Sequence, residues 1–370
     1  MSIVEIPSLI DMHCHLRDPG FLDKETIETG AKSAKRGGFL TICPMPNTNP
    51  PCDSVEVLDY INKKALKTDV RILPVACVTK NLDSLELVDF KKLKEGGAIA
   101  FSNDGLPILD KNVFKRALES GELIISHCEE ETIEVKWQIE KFMEVLREGK
   151  VMPRLHFCHI SKKESIDLIR EAKKNVPSIL DWNFGGSFPS LSAETCPHYF
   201  TLTDDYVQNY DTNFKMNPPL RTQKDVDAIK AGLKDGTIDC IATDHAPHTQ
   251  EEKCREFDSA PFGIIGFETL LSLTLNELVD KKVLTLEEAI AKMTTNPAKI
   301  FSLEKRGSLK PGSVADITII DLERKYEFKK EDILSKSKNS PFIGRKFKGS
   351  AVMTIVGGKI VWTLKDGIIN

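Results

Sequence analysis

Short apolar runs recur along this chain at intervals of about 20 to 45 residues, and longer segments with helical periodicity separate them. Strands are predicted near residues 8–13, 39–44, 70–78, 97–102, 122–127, 154–159, 193–198 and 239–243. Amphipathic helices are predicted over residues 24–36, 54–67, 84–94, 111–119, 133–147, 162–174, 223–234 and 266–281. Successive strand–helix units of this kind predict an α/β fold of the (β/α)8 TIM-like barrel class, whose functional groups gather at the C-terminal ends of the strands.

Two segments are predicted to lie outside this repeating pattern. Residues 180–191 are rich in Gly, Pro and aromatic residues and predict a long loop, whereas residues 249–263 are polar up to a Pro-Phe-Gly sequence. The second segment directly follows the last predicted strand. We therefore expect it to form a loop that covers the C-terminal mouth of the barrel.

After residue 285 the pattern changes to two short helices and then to strand-like runs. The runs cover residues 314–320, 351–356 and 359–362, with Gly357 and Gly358 as a predicted hairpin turn. The expected barrel covers residues 8–300, and the expected small β-rich subdomain covers residues 1–7 and 301–370, mainly the C-terminus.

The charge balance argues against nucleic acid as a partner. The 370 residues include 51 basic and 55 acidic ones, for a formal net charge of -4, and no cationic block is present. The chain shows neither the start of a signal peptide nor an apolar run near the ~20 residues of a membrane span. We expect a cytoplasmic protein that binds neither nucleic acid nor membranes.

Nine cysteines, an odd number without CxxC spacing, are typical of a reducing compartment. We expect them to behave as small buried hydrophobic residues. Cys128, which follows His127, is the one cysteine whose position suggests contact with a metal ion.

The histidines carry the strongest functional signal. All eight stand at or just after an apolar run, at positions 13, 15, 127, 156, 159, 198, 245 and 248. Because side chains two apart on a strand share a face, His13 and His15 point to one side and Cys14 points to the other. Alone, such a pair is as consistent with solvated or packed histidines as with metal ligands. The positions of the other six histidines, each at or just after an apolar run, favour metal ligands.

A catalytic divalent metal ion needs imidazole and carboxylate ligands and an open position for water. Asp244 follows the eighth predicted strand, which becomes the neighbour of the first strand when a barrel closes. His13, His15 and Asp244 therefore predict one metal site.

A second set of ligands is predicted at the same mouth. His127 follows the fifth strand and His159 follows the sixth. His156 is three residues from His159 and cannot share its face of the strand, so we expect His156 to support a metal ligand or to pack in the interior. Asp104 follows the fourth strand, where no lysine is available for carbamylation, and is predicted to be a direct carboxylate ligand. The alternative for Asp104 is a structural turn with Gly105.

Longer motifs, taken together, resemble the type I dihydroorotases of the amidohydrolase superfamily. The motifs are His-x-His-x-Arg-Asp-Pro-Gly (residues 13–20), Met-Pro-Asn-Thr-x-Pro (45–50), His-Cys-Glu (127–129), His-Ile-Ser (159–161), Lys-Met-Asn-Pro-Pro-Leu-Arg (215–221), Thr-Asp-His-Ala-Pro-His (243–248), Pro-Phe-Gly (261–263) and Pro-Gly-x-x-Ala-Asp (311–316). The resemblance covers nearly the whole chain.

The resemblance implies a zinc-dependent cyclic amide hydrolase. Such an enzyme converts dihydroorotate and water reversibly into N-carbamoyl-L-aspartate in pyrimidine (UMP) biosynthesis. The resemblance also implies one or two Zn²⁺ ions per chain, with the ligands His13, His15, Asp104, His127, His159 and Asp244. Asp244 would also act as the catalytic base, taking a proton from water and delivering it to the leaving ring nitrogen.

The resemblance further implies that Arg17 and Asn47 bind the ring carboxylate. The alternative for Arg17 is a surface ion pair with Asp18, and the alternative for Asn47 is a structural role in a turn. The residues implied to hold the ring amides and the roofing loop are Asn217, His248, Phe262 and Gly263. No role is implied for His198 and His245, which we expect to be structural.

The chain also departs from this family. Its members carry ~50 residues ahead of the first barrel strand, whereas about seven precede it here, so we expect a smaller outer sheet. Asn103 stands where many relatives have a second aspartate. The segment between His127 and His159 is short, and residues 180–191 resemble an insertion.

Two other functions are weighed against this one. A dihydropyrimidinase or allantoinase would carry a carbamylated lysine where this chain has Ser102-Asn103-Asp104, and would not need Arg17 beside Asn47. An inactive scaffold for a transcarbamoylase would have lost metal ligands. As partners we expect a second copy of the chain in a homodimer, with association with aspartate transcarbamoylase as a further possibility.

Overall fold

The computed structural model describes residues 2–176, 178–181 and 186–368. Its strands are β1 (Ile3–Pro7), β2 (Leu9–Cys14), β3 (Phe39–Pro44), β4 (Arg71–Ile72), β5 (Val75–Cys77), β6 (Ala100–Ser102), β7 (Leu123–Ser126), β8 (Arg154–Phe157), β9 (Ser178–Asp181), β10 (Gly186–Pro189), β11 (Leu191–Thr195), β12 (Cys240–Ile241), β13 (Ile317–Glu327), β14 (Lys346–Val356), β15 (Lys359–Thr363) and β16 (Gly367–Ile368). Its α-helices are α1 (Ile27–Gly37), α2 (Val55–Ala65), α3 (Phe90–Glu95), α4 (Lys111–Leu118), α5 (Glu131–Glu148), α6 (Lys163–Lys173), α7 (Gln223–Asp235), α8 (Gln250–Lys253), α9 (Leu270–Thr274), α10 (Leu286–Met293) and α11 (Thr295–Ile300).

Parallel strands at eight positions form the barrel. β2, β3 and β4 pair in that order, and β5, β6, β7, β8, β11 and β12 pair in a second run. β4 and β5 share the third position and are separated by Leu73 and Pro74, because proline has no N–H for a strand ladder. The barrel closes where Cys14 bridges His245 and the N–H of His15 donates to the His245 carbonyl at 2.8 Å. The predicted TIM-like barrel is confirmed.

Local signals explain where the outer helices begin and end. Helix α1 follows Thr26, whose hydroxyl and the side chain of Thr29 form a capping box, and it ends at Gly38 with φ 94°. Two predicted helices are shorter than expected. The segment 84–94 contributes only α3, and the segment 266–281 forms α9 followed by a π-helical turn over Leu275–Val279.

The predicted strand 193–198 instead starts at Leu191 and ends at Thr195, because Pro197 follows and begins a 3₁₀ turn that contains His198. The prediction of a long loop over residues 180–191 is wrong in part, since β9 and β10 pair as an antiparallel hairpin. Residues 182–185 of that prediction lie outside the described residues.

A separate antiparallel sheet in the order β1-β13-β14-β15-β16 packs on the barrel. Both chain ends contribute to it, and β14 lies against α1 and α9. The predicted turn is present, with Gly357 at φ 54° and Gly358 at φ 87°. β13 starts later than the predicted run 314–320 and is longer.

A packed floor closes the lower part of the barrel, so the mouth is the open end. Side chains from most barrel strands meet Ile300 and Phe301, which lie at the end of α11. Eight of the nine cysteines are buried, as expected, and Cys254 is exposed. No helix within the described ranges combines the length and the apolar character that crossing a membrane requires.

Candidate metal centre

The two histidines that end β2 meet the aspartate that follows β12. His15 Nε2 lies 3.2 Å from Asp244 Oδ1, and His13 Nε2 lies 3.5 Å from the same oxygen. All three side chains are buried. The structure therefore brings together the first predicted group of ligands.

Asp104 lies among four imidazoles. Its Oδ1 is 3.2 Å from His13 Nε2, 3.5 Å from His127 Nδ1 and 3.9 Å from His159 Nε2. Its Oδ2 is 3.5 Å from His15 Nε2. The side chain thus points into the mouth of the barrel, although Gly105 after it does adopt a positive φ of 83°.

The second predicted group also converges. His127 Nδ1 and His159 Nε2 are 2.9 Å apart, and both rings are buried. We call the six residues His13, His15, Asp104, His127, His159 and Asp244 the donor cluster.

The charge state of the carboxylates suits a cation. Burial alone would raise the pKa of Asp104 and of Asp244, but the surrounding histidines outweigh burial and hold both pKa values below their usual range. His13 Nε2 and Asp104 Oδ1 are buried and make no hydrogen bond. Imidazole nitrogens and carboxylate oxygens without other partners are the donors that a divalent metal ion takes.

The possible ligand atoms form two overlapping groups. His13, His15 and Asp244 make one, and His13, Asp104, Cys158 and His159 make the other, with all ligand atoms of a group within 4.8 Å of one another. Cys128 belongs to neither group, and its sulfur lies beside the Ser126 hydroxyl (3.8 Å). The thiol in the centre is that of Cys158 instead.

Glu194 supports the donor cluster and was not predicted. Its Oε1 accepts a hydrogen bond from His13 Nδ1 at 2.8 Å, and its Oε2 lies 3.2 Å from His156 Nε2. Burial opposes its ionisation, but the contacts with both histidines lower the pKa of Glu194 to about 2. The signal in the sequence is a single acidic residue within the buried strand β11.

Other buried polar residues have structural partners. His156 Nδ1 contacts the Ser192 hydroxyl (2.7 Å), as its expected supporting role requires. His245 lies between Glu25 (3.3 Å) and the N–H of Gly266 (3.1 Å). The ring of His198 packs against Tyr199, with a centroid distance of 4.2 Å.

Asn103 does not face the donor cluster. Its Oδ1 accepts from the N–H groups of Val78 (3.0 Å) and Thr79 (3.1 Å), and its amide nitrogen donates to the Thr79 hydroxyl. Asn103 thus fixes the end of the third barrel strand.

Three residues at the mouth have unusual backbone geometry. His159, Asp244 and Arg17 have φ values of 31°, 47° and 60°. A side chain in the left-handed region costs about 1 to 3 kcal/mol and persists only where its surroundings hold it. Here that conformation directs the side chains of His159 and Asp244, two members of the donor cluster, and of Arg17 toward the same cavity.

A cavity of about 280 Å³ opens above the donor cluster. It is lined by His15, Arg17, Asn47, Asp104, Gly105, His127, His159, Asn217, Asp244, Ala246, His248, Pro261, Phe262 and Gly263. Every substrate-binding residue predicted from the sequence is therefore on its wall. No lysine is among these lining residues.

Arg17 faces this cavity and is not paired with Asp18. Its Nε donates to the Pro247 carbonyl (3.2 Å), and its Nη2 lies 3.2 Å from His248 Nε2. Asp18 instead accepts from Lys64 at 2.9 Å. The guanidinium has no carboxylate within ion-pair distance in the described part of the chain.

The two predicted asparagines contact the donor cluster or its neighbours. Asn47 Oδ1 lies 2.9 Å from His15 Nδ1, and its amide nitrogen donates to Asp104 at 3.4 Å. Asn217 donates to Glu129 at 3.1 Å. Asn47 thus lies next to both a histidine and the space in front of Arg17.

The segment 249–263 covers the mouth, as predicted, and two lysines and an asparagine fasten it. Lys215 Nζ donates to the carbonyl of Ala260 (2.7 Å), and Lys253 Nζ donates to that of Pro261 (3.0 Å). Asn339 accepts from the N–H of His248 (3.1 Å) and donates to the Gly263 carbonyl (3.1 Å). Asn339 comes from the C-terminal segment, and no pattern in the sequence indicates this contact.

Comparison with known proteins shows where this architecture occurs. The model of the amidohydrolase family matches residues 4–361. A dihydroorotase of Endomicrobium trichonymphae is 52% identical, in an alignment that covers 97% of this chain and 88% of that protein. This chain belongs to the amidohydrolase family. A dihydroorotase of Pelotomaculum thermopropionicum is 42% identical, with 99% of this chain and 88% of the relative covered.

Solved structures in the family share the fold. An L-hydantoinase (dihydropyrimidinase) from Arthrobacter aurescens superposes with a TM-score of 0.83 at 24% identity, covering 99% of this chain and 86% of the other. A D-hydantoinase from a Thermus species gives a TM-score of 0.79 at 20% identity, covering 100% and 87%. These likenesses confirm the barrel with its outer sheet.

Proposed function

We propose that this amidohydrolase is a zinc-dependent dihydroorotase, which interconverts dihydroorotate plus water with N-carbamoyl-L-aspartate in pyrimidine biosynthesis. The observation that carries the proposal is the position of the Arg17 guanidinium, which lies next to the donor cluster and has no carboxylate partner among the described residues. Relatives named dihydroorotases, 42% to 52% identical over nearly the full chain, support it.

The donor cluster fits one or two divalent ions by its buried imidazoles and ionised carboxylates. Zn²⁺ bound there would lower the pKa of a water molecule and polarise the ring carbonyl. We assign all six residues of the cluster as ligands, with Asp104 in the place that a carbamylated lysine takes in other members. Glu194 fixes the His13 ring so that Nε2 faces Asp104.

Asp244 is the proposed catalytic base. Its carboxylate is ionised at neutral pH, and it lies at the floor of the cavity beside His13 and His15. It accepts the proton of the attacking water and gives that proton to the ring nitrogen as the carbon–nitrogen bond breaks. Ring closure is the reverse sequence.

Arg17 and Asn47 are proposed to bind the ring carboxylate. A guanidinium holds a carboxylate with two parallel hydrogen bonds, and the amide of Asn47 supplies a third donor. Asn217, His248 and the backbone at Phe262 and Gly263 are proposed to hold the ring amides and the roof segment, with the His248 ring serving the roof segment and Arg17. The position of all six on one cavity wall supports this assignment.

The test replaces Arg17 with alanine and compares two substrates on the zinc-loaded protein. We expect kcat/KM for dihydroorotate to fall about 10- to 150-fold, the effect of ~1.5 to 3 kcal/mol from a lost charged hydrogen bond. Hydrolysis of hydantoin or dihydrouracil, which lack the carboxylate, should be little changed. Equal losses on both kinds of substrate would contradict the role of Arg17.

The same assay separates the other functions. A hydantoinase or dihydropyrimidinase would prefer the uncharged ring, and a scaffold for a transcarbamoylase would turn over neither substrate. All six donors are present, which favours an active enzyme over a scaffold. We further propose a cytoplasmic homodimer that can associate with aspartate transcarbamoylase, and light scattering of the two proteins alone and mixed tests this assembly.

A further inference from the structure

A second cavity lies behind His248, which lines both it and the cavity above the donor cluster. Its volume is about 90 Å³, and its wall consists of Asn213, His248, Gln250, Lys253, Lys330, Lys338, Asn339 and Ile343. Three of these eight lining residues are lysines, and none is an aspartate or a glutamate. The cavity is therefore small and cationic.

His248 lies between this cavity and the one above the donor cluster, and its Nδ1 makes no hydrogen bond to a side chain in the described part of the chain. Its Nε2 lies 3.2 Å from Arg17 Nη2, and because a guanidinium only donates, Nε2 must accept. The proton of the neutral ring is then on Nδ1. Burial and the charges of Arg17, Lys24 and Lys253 keep the ring neutral by lowering the pKa of His248 to about 2.

Nδ1 is buried and has no hydrogen-bond partner of good geometry within the described part of the chain. The Phe262 backbone lies close enough to the ring to raise its pKa, but burial and the neighbouring cations outweigh this contact. The nearest carboxylate oxygen, Glu252 Oε2, is 3.6 Å from Nδ1, beyond hydrogen-bond distance, and Glu252 is paired with Lys24 at 2.8 Å. A buried donor without an acceptor costs about 1 to 3 kcal/mol. An acceptor placed in the cavity would remove this cost.

The lysines retain donors as well. Lys253 Nζ donates to two carbonyls, those of Pro261 (3.0 Å) and Gly263 (3.2 Å). Lys338 Nζ also donates to two, those of Ile333 and Ser335. Each ammonium has three N–H groups, so each keeps one donor, and neither forms an ion pair with a carboxylate in the described part of the chain. Burial lowers the pKa of Lys253 to about 8, which leaves its ammonium charged at neutral pH. Lys330 is exposed at the rim.

We infer that this cavity is a binding site for a small oxyanion, either free phosphate or the phosphoryl group of a phosphate monoester. The anion would accept from His248 Nδ1 and from the lysine ammonium groups, which together offer the charged hydrogen bonds that phosphate takes. Its volume suits one tetrahedral group. The site is separate from the donor cluster, and Lys330 contributes only to it.

The inference extends the proposed function in one respect. An anion on Nδ1 holds the His248 ring in the tautomer whose Nε2 accepts from Arg17, and Arg17 is the proposed carboxylate ligand. Occupancy should therefore change KM for dihydroorotate more than kcat. This consequence rests on the proposed function, whereas anion binding itself does not.

Calorimetric titration of the zinc-loaded protein with inorganic phosphate tests the site without any turnover. We expect Lys330→Glu, at the exposed rim, to weaken phosphate binding at least tenfold. Lys91→Glu changes the same charge at an exposed position on α3, which contributes no residue to the cavity, and should leave the affinity unchanged. Lys338→Met is the second variant, with a thermal melt to establish that it is folded.

The outcomes are distinct. Phosphate that binds equally to the wild type and to Lys330→Glu would be held at the metal centre instead, and this result would overturn the inference, as would no binding at millimolar phosphate. Phenyl phosphate serves as the monoester probe: tighter binding than phosphate points to a phosphorylated metabolite, and weaker binding points to the free ion.

Discussion

His13 and Glu194 form a buried hydrogen bond of 2.8 Å between residues 181 positions apart in the chain. Because the Glu194 carboxylate is ionised and only accepts, the proton of His13 is on Nδ1. Nε2, which lies 3.2 Å from Asp104, is therefore the ring atom left for a metal ion. A carboxylate that orients a metal-bound histidine in this way raises the basicity of the ligand and fixes its ring.

This relationship predicts that Glu194→Gln weakens metal binding. The amide cannot replace the charged acceptor, so we expect the zinc affinity to fall about 10- to 100-fold, with kcat falling in parallel at limiting zinc. Competition with a chelator measures the affinity. Ser192→Ala, which removes the His156 contact on the same strand but does not touch His13, is the control. An unchanged zinc affinity in Glu194→Gln would show that Glu194 only fills space.

Asn339 is predicted to position the roof segment. Asn339→Ala leaves the His248 N–H without its acceptor and removes the donor to the Ala246 and Gly263 carbonyls, so we expect a loss of about 1 to 3 kcal/mol in the free energy of unfolding. KM for dihydroorotate should rise severalfold with bound zinc unchanged. Steady-state kinetics with metal analysis checks both expectations.

The matched control is Asn276→Ala. Asn276 also bonds a backbone N–H and a backbone carbonyl, both of Lys348 in the outer sheet. This variant should lose stability and keep its KM. If both asparagine variants kept the wild-type KM, Asn339 would have no role in positioning.

Features of the site that depend on neighbouring residues could be predicted from the sequence, whereas contacts between residues far apart in the chain could not. His13 and His15 share a face because the strand period is local, and each strand end could be recognised from its own apolar run. The Glu194 contact depends on barrel closure, and Asn339 reaches His248 across 91 residues. The left-handed conformations of His159 and Asp244 are set by tertiary packing and have no local signal.

The third prediction concerns stability and pH at Glu268, far from the metal centre. Its side chain is buried next to Arg36 at 4.0 Å, and burial raises the pKa of Glu268 to about 7 from the ordinary 4.5. Between these two pH values the folded state binds more protons than the unfolded state, so stability falls as the pH rises through 4.5 to 7.

Glu268→Gln removes this titration. We compare the free energy of unfolding of the variant with that of the wild type at each pH. This difference should favour the variant by roughly 1 to 3 kcal/mol more at pH 8 than at pH 5. Urea unfolding at both pH values measures the difference, with Glu323→Gln at an exposed position as the control. A gain that is equal at the two pH values would mean that Glu268 does not titrate in this range.

The most direct test of the central claim is a zinc titration of metal-stripped protein, followed by its rate of dihydroorotate hydrolysis in buffer free of carbon dioxide and bicarbonate. If Asp104 and the histidines form the catalytic metal centre, the stripped protein should be inactive. Activity should return in proportion to zinc, reach its maximum at one or two ions per chain, and need no bicarbonate. A zinc-loaded protein that fails to hydrolyse dihydroorotate, or one that needs bicarbonate, would contradict the account.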